Sequence, residues 1–300
     1  MSHTRVVAAV DDSPTTPAVA RAAAVEARRL GLPLEVVHVV DHHHQVLDPL
    51  EDSALWRAAQ AIGEAVPGDD VALRQLGGPP PEMLVEHTRD AALLALGSSH
   101  RGGVTEAVLG STVAGVLRAA RVPVLVVPEP ATLHADDDRP VVAALGLDGD
   151  QEPVVRAAVA EALARGVGLR VVHSCRPADY AFTFGPGAPV AWHALEARAR
   201  LEIDRVLLHT PGADQVVVHV TVAAAAPVDL VTSAARTAGL VVVGNRAHHG
   251  PVAPAHHLAR TVLHHIDVPL LAVPVPTPAE VPARETARVA TDASPAGSRA

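Results

Sequence analysis

Residues 97 to 113 read GSSHRGGVTEAVLGSTV, a glycine and serine loop that follows an apolar run and ends in a second Gly-Ser-Thr. Gly110, Ser111 and Thr112 stand at the start of a helical pattern, TVAGVLRAAR. Free N–H groups and the helix dipole at such a start favour negative charge, and the two hydroxyls add donors. This arrangement needs no lysine, and the chain contains none. A Walker A phosphate loop and a pyridoxal Schiff base, which both require lysine, are therefore excluded. A second candidate is Asp11, directly after the apolar run VVAAV. An acid in that place can face a ligand or cap a helix, and Ser13 competes for the capping role.

Other chemistries find less support. Eighteen histidines include DHHH at 41 to 44, AHH at 247 to 249 and the stretch HHLARTVLHH at 256 to 265. His257 and His264 are seven positions apart, a helical rise of about 10.5 Å, too far for one ion without ligands from elsewhere. No metal site is expected beyond adventitious nickel binding. Cys175 is the only cysteine, so neither an intrachain disulfide nor a thiolate cluster can form. No Gly-x-Ser-x-Gly elbow is present, and Ser98 and Ser99 have only His100 as a local base. The chain is expected to be a binding module rather than an enzyme. Its net charge of -9, without a basic cluster, argues against nucleic acid and anionic membrane as partners. No run approaches the ~18 apolar residues of a bilayer span or the pattern of a signal peptide, so a cytoplasmic location is expected.

The elements that would position these residues come in two copies. RVVAAVDDSPTTPAVARAAAVEARRLGLPLEVVHVVD (5 to 41) aligns with PVVAALGLDGDQEPVVRAAVAEALARGVGLRVVHSCR (140 to 176). AALLALGSSHRGG (91 to 103) matches AGLVVVGNRAHHG (238 to 250), and RVPVLVVPEP (121 to 130) matches DVPLLAVPVP (267 to 276). Extra length in the second copy is expected in the loop 176 to 189. The boundaries follow: a first domain 1–130, a linker 131–139, a second domain 140–275 and a disordered tail 276–300 poor in large apolar residues. Strand-length Val/Leu runs alternate with helix-length segments. Ser13 and Pro14 are expected to open the first helix and Gly31 to close it; Asp150, Pro153 and Gly166 play those parts in the second copy. Runs apolar on both faces imply parallel strands covered on each side. The expected fold is α/β, two tandem doubly wound, Rossmann-like domains, each with a five-stranded parallel sheet and four helices; two antiparallel α+β domains are the weaker alternative. Each fifth strand would be a bare apolar edge unless the copies cover each other.

With these residues in view the chain resembles the universal stress proteins, whose nucleotide-binding members carry Gly-x2-Gly-x9-Gly followed by Ser or Thr. The resemblance implies an adenine nucleotide alpha hydrolase-like fold and ATP, with or without Mg2+, in the first domain. It places Asp11 near the base and ribose, the backbone of Val39 against adenine, and Gly97, His100, Gly110, Ser111 and Thr112 in the phosphate loop. His100 stands where the family has its second glycine. In the second copy Asp148 is retained, but Ala247, His256 and His257 replace phosphate-loop residues, implying a degenerate site. The resemblance further implies a stress-response, signalling role, an internal pseudo-dimer, a homodimer of chains as a further possibility, and an unidentified protein partner. The alternative it leaves is a nucleotide-free interaction module.

Overall fold

The computed structural model describes residues 4–40, 52–65, 71–98, 110–129, 137–146, 151–175, 192–245 and 258–276. The first half contains β1 (Val6–Val10), α1 (Thr16–Leu30), β2 (Leu34–Val40), α2 (Ser53–Ala65), β3 (Val71–Gly77), α3 (Pro80–His87), β4 (Leu93–Ser98), α4 (Ser111–Ala119) and β5 (Val124–Pro128). The second repeats the pattern with β6 (Val141–Leu145), α5 (Glu152–Arg165), β7 (Leu169–Ser174), α6 (Trp192–Leu208), β8 (Val218–Ala223), α7 (Pro227–Ala235), β9 (Leu240–Asn245), α8 (Leu258–Leu263) and β10 (Leu270–Pro274). A short 3-10 turn, Ala213–Gln215, precedes β8.

The strands form one sheet in the order β3-β2-β1-β4-β5-β10-β9-β6-β7-β8. Pairing is parallel within each half, as the doubly apolar runs require, and antiparallel only at β5–β10. The inner strands show the cause: Val6, Ala8 and Val10 of β1 enter the core under α1 and α2, while Val7 enters the core under α3 and α4. Fully burying each such Val or Leu contributes about 1.5–3 kcal/mol. The rim strand β3 instead has no fully buried position, half-buried residues alternating with exposed ones over Val71–Arg74.

The alanines of α1 let it lie close on the sheet, with Val19, Ala20, Ala23 and Ala27 buried. The glycine stops fall where expected: Gly31 and Gly166 end α1 and α5 with φ of 63° and 65°, the left-handed region that disfavours residues with a Cβ. The starts differ. α1 begins at Thr16 after Thr15, because Ser13 turns back to hydrogen-bond Asp11 instead of capping the helix. α5 begins at Glu152, and Asp150 lies outside the described residues.

Strand register fixes how the copies correspond. Leu34 and Leu169, 135 positions apart, are the partners of Val6 and Val141. Leu93 and Leu240, 147 apart, pair with those same two valines. The extra length therefore falls between β7 and β8, the interval that contains α6 and the loop 176 to 189. Val124 and Leu270 also correspond, since they pair with Leu94 and Val241. Across the joint Leu125 meets Leu271, its own counterpart, while Val124 meets Ala272 and Val126 meets Leu270. That reciprocity is the mark of a two-fold axis, here an approximate one inside a single chain.

Candidate functional site

Strand order reverses between β1 and β4, so their flanking connections leave in opposite directions and a crevice opens beyond their carboxyl ends. A cavity of about 140 Å3 lies there. Its apolar wall is made by Val10, Val37, Val39, Leu84 and Leu96, and its polar groups are Asp11, Thr15, Thr16 and Thr112. Six elements thus converge: the ends of β1, β2 and β4, the first turns of α1 and α4, and α3. Such a wall suits a flat apolar ring, and such a rim suits hydroxyl or anionic groups.

The turn after β1 is held by its own side chains. Ser13 donates its N–H (3.0 Å) and its hydroxyl to Asp11 Oδ1. With that hydroxyl proton committed, the 2.7 Å contact between Ser13 Oγ and Thr15 Oγ1 is a bond donated by Thr15. Thr16 Oγ1 donates to the Asp11 carbonyl (2.5 Å). Asp12 accepts from Ser53 Oγ (2.9 Å) and Arg57 Nη2 (3.0 Å), which ties the turn to α2.

The end of β2 is fixed from the α2 side. Asp52 accepts from Ala54 N–H (2.9 Å) and Leu55 N–H (3.2 Å), satisfying two of the four free donors of that helix start. Its other oxygen accepts from His38 Nδ1 (2.6 Å) and Gln75 Nε2 (2.5 Å), so the strand residue next to Val39 is locked in place. Burial opposes ionisation of Asp52, yet the hydrogen bonds from His38, Leu55 and Gln75 prevail and hold its carboxyl below the usual range.

Of the residues the sequence singled out, Asp11, Val39, Gly97 and Thr112 line the cavity. Gly110 and Ser111 are exposed at the start of α4, just before Thr112. Gly110 is its N-cap residue with φ −54° and ψ 144°, and the first helical bond runs from Ala114 N–H to the Gly110 carbonyl (3.0 Å). The N–H groups of Ser111, Thr112 and Val113 precede that bond and have no acceptor within the helix itself, the arrangement that favours an anion. His100 lies outside the described residues. Thr15, Thr16, Val19, Pro80 and Leu84 were not singled out by the sequence, although Thr15 and Val19 share a helical face.

The two glycines at the site have different causes. A Cβ at Gly97 would strike Thr15 Oγ1 and come within 3.0 Å of Thr15 Cβ and 3.2 Å of Val19 Cγ2. Packing of α1 on β4 thus accounts for Gly97 without any ligand. A Cβ at Gly110 meets nothing within 4 Å among the described residues.

The second half keeps Gly244 where β4 has Gly97 but differs at the ends of its first two strands. Register puts Gly146, not Asp148, opposite Asp11; Asp148 is two positions further on and outside the described residues, as are Ala247, His256 and His257. Ser174 stands for Val39 and turns its hydroxyl to the Ala225 carbonyl (2.5 Å). A larger hollow of about 310 Å3 lies between α7 and His265, away from the strand ends. Among the described residues no group of three or more His, Cys, Asp or Glu could hold a metal ion, and the runs 41–44 and 247–249 fall outside them. No described helix is long and apolar enough to cross a membrane.

Comparison with known proteins agrees with this architecture. A model of the universal stress protein family matches residues 3–128 and again 139–274. A universal stress protein of Mycobacterium tuberculosis (strain ATCC 25618 / H37Rv) is 32% identical over 254 residues, which covers 82% of this chain and 74% of the relative. A second from the same strain is 29% identical over 293 residues, 89% of this chain and 95% of its own. The crystal structure of a universal stress protein from Archaeoglobus fulgidus DSM 4304 superposes with a TM-score of 0.68 at 17% identity, covering 91% of this chain and 99% of that one, a likeness of fold.

Proposed function

The chain belongs to the universal stress protein family, as the match over both halves shows, and from that premise we propose that its first half binds an adenine nucleotide in the cytoplasm as a regulatory signal. The observation that carries the reading is convergence: Asp11, Gly97 and Thr112, picked out by type and spacing, and Val39, named by the family resemblance, line a single cavity. In this reading the base rests on Val39 and the apolar wall, the ribose faces Asp11, and the phosphates lie against Gly110, Ser111 and Thr112 at the α4 start. ATP, with or without Mg2+, is the ligand proposed. Lysine plays no part, since helix dipole and N–H groups without an acceptor in the helix supply the positive field. The second half serves structure, because Gly146 and Ser174 replace the acid and the apolar contact. Occupancy of the first half is the signal a protein partner reads, and no step of catalysis is assigned to the site.

Gly110→Asp tests this cleanly. Aspartate is a better N-cap than glycine and its Cβ meets no described residue, so folding is preserved, while its charge opposes a phosphate at the same helix start. Calorimetric titration with Mg-ATP should show one site per chain in wild type and at least tenfold weaker binding in Gly110→Asp. Equal affinity in both proteins would remove phosphate from the α4 start. A second reading rests on size: about 140 Å3 is below the ~300 Å3 at which ligand pockets usually begin. In that reading the protein is a nucleotide-free interaction module, and wild type itself gives no heat of binding.

A further inference from the structure

Four charged side chains meet where α1 and α5 flank the joint between the halves, and the nucleotide reading uses none of them. Glu26 on α1 is 3% exposed. Glu161 occupies the same place on α5, each residue five positions before its helix's closing glycine. An approximate two-fold contact sets a residue opposite its own counterpart, so carboxylate meets carboxylate. Arg165 Nη2 donates to Glu26 Oε1 (2.8 Å) and to Glu161 Oε2 (2.8 Å), and its Nε donates to Glu161 Oε2 (3.0 Å). Arg29 Nη1 donates to Glu26 Oε1 (2.9 Å) and lies 3.9 Å from Glu161 Oε2. The Arg165 side chain is 2% exposed, and its Nη1 has no acceptor among the described residues. The guanidinium bonds therefore converge on one oxygen of each carboxylate. Both carboxylates accept from the one Arg165 Nη2, and two carboxylates held that close in a buried site disfavour ionising together.

We propose that Glu26, set against the Glu161 carboxylate, holds a proton at neutral pH and that this proton makes the joint between the two halves a pH-sensitive clasp. The other groups facing the pair are few. Asp137, bonded to Arg139, stands in the field of Arg165 from the segment before β6. Arg28 points outward on α1. The contact of α1 with α2 carries the separate, exposed pair Arg21–Glu64 (2.8 Å). β5 and β10 bring only apolar residues, Leu125, Val127, Leu271 and Val273 among them.

Burial first, and the Glu161 charge second, push Glu26 up to about 8 against the lowering pull of Arg165 and Arg29. A carboxyl raised in the folded state contributes stability that is full below its ordinary value of 4.5 and is lost as pH rises through 8. For one proton, the constant for opening the joint grows about tenfold per pH unit within that window and levels off above it.

Native-state hydrogen exchange of the β5 and β10 amides in the full chain tests the clasp, with wild type and Glu26→Gln compared at matched pH from about 5.5 to 9, which cancels the intrinsic pH dependence of exchange. The ratio of wild-type to variant rates should climb about tenfold per pH unit and flatten near pH 8. A ratio constant over the whole range overturns the proposal. Glu161→Gln, which removes the neighbouring charge, should move the pH dependence to lower pH, and an unmoved profile counts equally against it. If neither variant folds, carbon-13 titration of wild type labelled at glutamate carboxyls decides: a carboxyl titrating near pH 8 supports the proton on Glu26, and all carboxyls titrating below about pH 6 refute it.

Discussion

Substituting Gly97 by alanine separates a packing glycine from a ligand-contacting one. The added Cβ lies 3.0 Å from Thr15 Cβ and 3.2 Å from Val19 Cγ2, and it strikes Thr15 Oγ1 directly. Rotating Thr15 offers little relief, since its hydroxyl is bonded to Ser13 Oγ at 2.7 Å and its Cβ stays close in any rotamer. Overpacking of this kind costs about 1–3 kcal/mol. Thr15→Ala alone should cost about 1 kcal/mol for the lost hydrogen bond. The double variant, freed of the Oγ1 clash but keeping the Cβ contact, should be more stable than the sum of the singles by at least about 0.5–1 kcal/mol. Urea unfolding of the four proteins, without nucleotide, measures the cycle. Strict additivity, or a Gly97→Ala protein as stable as wild type, would refute packing of α1 on β4 as the reason for this glycine.

Two further outcomes follow from the hydrogen bonds. Asp52→Asn removes a charge that holds His38, Gln75 and two N–H groups of α2; because folding lowers the carboxyl's pKa, its stabilisation is present above the ordinary value of 3.8 and fades as pH falls through the lower folded value. Wild type should therefore lose its stability margin over Asp52→Asn on acidification, read by thermal melts from pH 7 to about 3, and a margin independent of pH would count against the assignment. Asn245→Ala deletes the 2.6 Å bond to the Leu117 carbonyl, made at the end of α4 in the other half, and leaves a buried carbonyl with one partner fewer. A loss of about 1–3 kcal/mol is expected in urea unfolding.

The fold was legible because its signals are periodic and occur twice. Doubly apolar runs such as VLVV at 124 to 127 demand a covered parallel sheet, and Gly31 and Gly166 mark helix ends through a backbone conformation that glycine adopts without strain. Helix starts were less legible, since Ser, Thr and Asp crowd the segment 11 to 16 and only the folded turn shows that Ser13 serves Asp11 and not the helix. At the site, residues adjacent to glycine-rich motifs were visible from spacing, whereas Pro80 and Leu84 reach the cavity from α3 by tertiary packing that no local pattern encodes. Gly97 was visible for a reason that the contacts with Thr15 change. The Asp11 counterpart was misplaced because the second turn offers an acid two residues late, and register, which depends on strand pairing, identifies Gly146 instead.

The two-fold joint also has a consequence for how such a protein can change. When identical chains meet on a symmetry axis, every substitution there appears twice, and a side chain that suits one place must suit its mirror. Here the copies are joined in one chain and each position varies alone. Arg165 stands where α1 has Leu30, and Arg29 stands where α5 has Ala164, so one carboxylate pair receives two guanidinium groups from unlike positions. Asn245 reaches the end of α4, while Ser98, its counterpart, is too short to return the contact and leaves its buried hydroxyl without a partner among the described residues. Duplication in one chain has released the interface from self-complementarity, and the surviving repeat records how far the two copies have diverged.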